Sequence, residues 1–265
     1  MKSAGDQDDV GRSKCMFCEQ GNMSREHFWA EWLHPLIPQP ARQLHQHQQL
    51  QQTGVSGRAL SRDRFDQRQG SVLNARYRVV CKSCNETWMS GLETDVRPTL
   101  SRLICGTEFN LARPAWQTLA HYLLLKIMVV DQAPMSVPTI TKAERRSFMA
   151  SRTWPDGIRI WILATDDDFW KMQVQSDAFT IDWRGDGAQK AANAKLTVWG
   201  TGRLVVVSML DREGQLNLGL DELHAVEVHP GNTGERRWPP LCWTDGLALD
   251  DLAHALKVRV RQLHV

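Results

Sequence analysis

The chain has 265 residues, 42% apolar and 23% charged, which excludes a fibrous or disordered polypeptide and suits one large domain or two modest ones. Its formal charge of +2 is too small to mark a nucleic-acid binder, so a phosphate-binding surface would have to be a local patch. No stretch reaches the roughly 18 uninterrupted apolar residues of a membrane helix, and the longest candidate, 119–130, is broken by His121 and Lys126. The first residues carry acids where a signal peptide needs an apolar run, so a cytoplasmic chain with reduced thiols and no membrane partner is expected.

In chain order, 1–14 reads as a disordered tail, 15–110 as a small module rich in Cys, His and Arg, and 111–265 as a larger α+β domain able to fold alone. The first motif is Cys15-Met-Phe-Cys18. The Gln-rich stretch at 39–52 lacks apolar periodicity and reads as a long loop; His45 and His47 in it, and His34 before it, are read as solvated in preference to alternative bases or substrate contacts. Between 58 and 82 lie seven basic residues, Arg58, Arg62, Arg64, Arg68, Arg76, Arg78 and Lys82, against Asp63 and Asp66; this excess could track a phosphate backbone or be a solvated loop.

At 76–79, Tyr77 and Val79 alternate with Arg76 and Arg78, the pattern of a half-buried strand leading into the second motif, Cys81-Lys-Ser-Cys84. A helix follows at 85–96, with Trp88, Leu92 and Val96 at four-residue spacing and Pro98 ending it. Trp29, Trp32 and Trp88 have apolar neighbours and are assigned to the core, as are Cys105 and Cys242, which lack partners at ligand spacing. Pro114 suits a first helical turn, and 116–130 reads as a buried helix. Strand-like runs come next at 158–165, 179–183, 194–200 and 203–210, then a closing helix after Leu249. The fold class expected is α+β, with a mainly antiparallel sheet in the larger domain.

Two C-x2-C units in a reducing compartment point to zinc, because a two-residue spacer lets a tight turn aim both sulfurs at one tetrahedral ion. A redox pair is the alternative, but neither unit has the βαβ context that role requires.

With Ser24-Arg25-Glu26-His27-Phe28-Trp29 between the pairs and Cys84-Asn85-Glu86-Thr87-Trp88-Met89 closing them, the segment 15–96 resembles the HNH, or ββα-metal, endonucleases in their zinc-bound, treble-clef-like form. The resemblance implies that Glu26 is a metal ligand, His27 the general base and Asn85 a second metal ligand. It implies structural Zn2+ on Cys15, Cys18, Cys81 and Cys84, and Mg2+ or Mn2+ as the catalytic ion. DNA would be the substrate, with RNA open, cut to 5′-phosphate and 3′-hydroxyl ends. Some variants carry a second helix-borne histidine where this chain has Met89, which implies a minimal single-ion site.

These residue types suit the chemistry. Phosphodiester hydrolysis needs a base that titrates near neutrality and oxygen ligands for a hard cation. Two other readings remain open at this point: Asn85 as a helix cap, and a non-catalytic zinc module that binds nucleic acid or a protein.

Overall fold

The computed structural model describes residues 14–36, 44–49, 51–53, 64–69, 76–133, 136–165, 173–181, 189, 191–240, 252 and 254–256. Arg58, Arg62, Cys242 and nearly all of the tail at 1–14 lie outside them. The architecture is α+β.

The N-terminal frame consists of two strands and a helical rod. Strand β1 (Met23–His27) pairs antiparallel with β5 (Arg76–Cys81), Met23 opposite Cys81 and His27 opposite Arg76, with a bulge between Ser24 and Glu26. The alternation read from the sequence holds: Tyr77 and Val79 are buried, Arg76 and Arg78 exposed. From Cys81 the chain passes through α1 (Lys82–Cys84) and a π-helical turn (Asn85–Met89) into α2 (Ser90–Cys105).

Pro98 does not end this helix. It costs an interior hydrogen bond, roughly 3 kcal/mol, but it is exposed, and beyond it Leu100, Leu103 and Ile104 continue the buried face. The helix stops at Gly106, whose φ of 65° favours a residue without Cβ. Cys105, assigned to the core from sequence, is exposed, because it lies on the outer side of that last turn.

The described residues of the Gln-rich stretch, 44–49 and 51–52, are strand, not the loop expected. Strand β2 (Leu44–Gln49) pairs antiparallel with β4 (Arg64–Gln69), and β3 (Gln51–Thr53) pairs parallel with β8 (Gln173–Thr180). Backbone pairing, not apolar alternation, builds these strands.

A short strand β6 (Phe109–Leu111) leads to α3 (Arg113–Asp131), which has Pro114 in its first turn and an almost wholly buried second half. Helix α4 (Lys142–Ser151) starts at a capping box between Thr141 and Glu144. The main sheet adds β7 (Ile158–Ala164), β9 (Ala194–Thr201), β10 (Leu204–Asp211) and β11 (Val226–Glu227), and β12 (Arg236–Trp238) pairs with β6. Its strand order is β11-β7-β10-β9-β8-β3, antiparallel except for β3 with β8. Helical residues 254–256 match the expected closing helix.

Both faces of the sheet are covered. Ile160, Ile162, Val206 and Trp199 join the core that holds α3 and the N-terminal frame, while Leu163, Val205, Val207 and Leu196 pack with Leu252 and Leu256 on the other side. The first of these cores runs without interruption from Cys15 to Trp238 and crosses the division expected near residue 110. Backbone and side-chain bonds cross it too: Arg203 N–H to Ile104 O (2.8 Å), Arg145 Nε to Met16 O (3.0 Å) and Trp238 Nε1 to Leu103 O (3.2 Å). Among the described residues no helix is long and apolar enough to cross a membrane.

Candidate metal centre and histidine site

The cysteines come from two backbone turns. In the first, Glu19 N–H bonds Cys15 O (3.0 Å), and Met16 N–H bonds Val79 O (2.9 Å), fastening the turn to β5. In the second, Cys81 ends β5 and caps α1, its Sγ accepting from Cys84 N–H at 3.4 Å. Phe17 beneath them is fully buried and meets Trp88 edge to face at 4.9 Å.

All four sulfurs lie within 4.8 Å of one another, with Cys18 at 3.5 Å from Cys81 and 3.6 Å from Cys84. A tetrahedral ion with metal–sulfur bonds of about 2.3 Å places its ligands about 3.8 Å apart. The set is therefore compatible with a structural zinc site, and these spacings are far too long for disulfides. Burial raises the Cys18 and Cys84 thiols above the ordinary range, whereas for Cys15 the effect of burial is outweighed by backbone N–H groups and its pKa falls. A bound cation favours the thiolate form at all four.

At the far end of β1, His27 is partly exposed and faces outward. Arg76 donates from Nε to His27 Nε2, and Glu31, in the 3-10 turn Glu31–Leu36, has Oε1 at 3.3 Å from the same nitrogen and 3.5 Å from Arg76. One nitrogen cannot accept from Arg76 and donate to Glu31 at once. Burial, and then the Arg76 charge, lower the His27 pKa despite Glu31, so the neutral ring accepts from Arg76 and Glu31 pairs with the guanidinium. His27 is thus in the proton-accepting form at neutral pH.

Glu26, one residue earlier, points inward and is buried. Its Oε1 lies 2.6 Å from Nζ of Lys126 on α3, which also donates to the His27 carbonyl at 2.9 Å. The carboxylate of Glu26, expected as a ligand of the catalytic ion, is thus turned away from solvent and paired with a buried ammonium. Asn85 Nδ2 donates to Ser24 Oγ at 2.9 Å, leaving Oδ1 to accept a bond or to bind a cation. The cap role open to Asn85 in the sequence is taken by Cys81.

Comparison with protein-family models, with curated proteins and with solved structures finds no match to this chain. The site must be judged on its own geometry.

Of the expected basic patch, Arg76 and Arg78 are exposed on the outer side of β5, and Lys82 follows them, paired with Glu86 at 3.6 Å. Arg64 and Arg68 lie on β4, opposite Gln49 and His45. His45 and His47 are strand residues of β2, and His34 is half-buried in the 3-10 turn, so none of the three sits in an open loop. Trp29 is buried, and Trp32 and Trp88 pack against the same core, as expected.

The sequence reading missed Arg25, Glu31, Glu93 and Lys126. Arg25 is exposed on β1, on the side of the strand pair that carries His27, Arg76 and Arg78. Lys126 did leave a signal, since a lone cation inside an apolar helix needs a carboxylate partner.

Proposed function

We propose that the chain is a phosphodiester hydrolase of the HNH type acting on DNA, with its N-terminal frame braced by zinc on Cys15, Cys18, Cys81 and Cys84. The observation that carries this reading is the placement of neutral His27 at the open end of β1, opposite Arg76, in a strand–strand–helix frame whose four cysteines gather at the other end. The exposed Arg25, Arg76 and Arg78 beside it suit a phosphate backbone.

In the reaction, phosphate draws Arg76 away from His27 Nε2, and the freed imidazole takes a proton from a water. The water oxygen forms the new bond to phosphorus while the bond to the 3′ oxygen breaks. That oxygen takes a proton from solvent water as it leaves, and the His27 imidazolium returns its own proton to solvent, giving 5′-phosphate and 3′-hydroxyl ends. Bound Mg2+ or Mn2+ would neutralise charge on the phosphate oxygens. The chain does not offer the two-ligand set implied for it: Asn85 Oδ1 remains and Glu26 is committed to Lys126, so no step here runs through the ion.

The test is cleavage of plasmid and oligonucleotide DNA with Mg2+ or Mn2+. His27→Ala should lower the rate by about 10^2-fold or more while circular dichroism and zinc content stay unchanged. Equal cleavage by His27→Ala, or none by wild type with either ion, would sink the reading.

A second reading is favoured by the fact that Glu26 and His27 are both already partnered. It is a non-catalytic zinc module whose arginine side binds nucleic acid, and it predicts salt-sensitive binding without hydrolysis.

A further inference from the structure

Lys126 is 1% exposed and lies in the middle of α3 among Leu124, Leu125, Ile127 and Met128, all buried. A leucine or methionine would extend that apolar surface without the cost of desolvating a charge. The ammonium instead reaches the end of β1. It donates to Glu26 Oε1 at 2.6 Å and to the His27 carbonyl at 2.9 Å, while Glu93 Oε2 on α2 lies at 3.9 Å, too long for a hydrogen bond but near enough to add charge. The Tyr122 ring also lies beside it, with the centroid at 5.5 Å. Burial alone would lower the Lys126 pKa, yet the Glu26 carboxylate, with help from Glu93, raises it, so the group stays charged.

We infer that Lys126 is a positioning residue for the His27 site and that Glu26 serves as its counter-ion, not as a metal ligand; this rests on the hydrolase reading above. His27 is the last residue of β1, and among the described residues no ladder partner follows it. The Lys126 bond to its carbonyl fixes the backbone there from outside the frame, and Glu26 holds the ammonium in place. A buried ion pair contributes little net stability, whereas a displacement of about 1 Å at a reacting group can cost on the order of 10^2-fold in rate.

The experiment uses the full zinc-loaded chain with plasmid DNA and a Mg2+ titration. Glu26→Gln and Lys126→Met should each lower kcat at least about 10-fold with the half-saturating Mg2+ concentration and the KM for DNA unchanged. The double variant should fall no further than the worse single one, because both residues act through one pair. Lys126→Arg, which keeps charge and donors, should recover most of kcat and serves if the methionine variant does not fold. In the free protein, the His27 Cε1–H resonance should shift in Lys126→Met.

A Glu26→Gln variant that needs several-fold more Mg2+, or losses that multiply in the double variant, overturns this inference alone. An unmoved His27 resonance does the same. A wild type that cleaves nothing overturns the hydrolase reading, and with it a positioning role in that reaction.

Discussion

Trp199 of β9 is 3% exposed and meets both Phe28 (5.7 Å, 82°) and Trp29 (5.4 Å, 69°) edge to face. These contacts join the residues just after His27 to the main sheet. Replacing a buried Trp by Ala costs about 3–5 kcal/mol, and each ring pair contributes about 0.5–1.5 kcal/mol beyond its buried area. Trp199→Ala should therefore destabilise the N-terminal frame together with the sheet, in one transition. A double-mutant cycle with Phe28→Leu should give a coupling of about 0.5–1.5 kcal/mol. The assay is urea unfolding followed by circular dichroism and by release of metal to a chromogenic chelator. Coupling below about 0.3 kcal/mol, or a metal-release midpoint that ignores Trp199→Ala, would mean that the frame and the sheet unfold as separate units.

Two more outcomes follow from the site. Elemental analysis should find one zinc per chain, and Cys84→Ser should lower that content while chelation loosens the frame, since three thiolates leave an open position. Cleavage should rise with pH through an inflection below the ordinary histidine value of 6.5, because burial and Arg76 lower the His27 pKa and the deprotonated ring is the active form. Arg76→Ala should move that inflection upward in a kcat/KM profile; an inflection at higher pH in wild type than in Arg76→Ala would contradict the assignment.

What was legible in the sequence is what local spacing encodes. Two C-x2-C units predict their own convergence, β5 announces itself by alternation, and β7, β9, β10 and α3 by apolar density. The Gln-rich strands were illegible because their pairing uses backbone groups that every residue owns. Pro98 misled because a local rule was outweighed by buried Leu100, Leu103 and Ile104 beyond it. At the candidate site, the pairing of Glu26 depends on a lysine 100 positions away and could only emerge from the packed fold.

These outcomes bear on how so small a frame could hold a reacting group. Two strands and a helical rod bury too little to be rigid alone. At one end of β1 the cysteine cluster acts: Met23 pairs with Cys81, and Lys82 N–H bonds Asn22 O at 2.9 Å, so a metal that draws the sulfurs together also fixes the strand entry. At the other end Lys126 holds the His27 carbonyl, and behind it Phe28 and Trp29 are wedged against Trp199. The strand is thus pinned at entry by the cysteine turns and at exit by α3 and β9, elements that lie beyond residue 110. The C-terminal region is for this reason part of the site's scaffold, and losing either anchor should displace His27 without touching the imidazole itself.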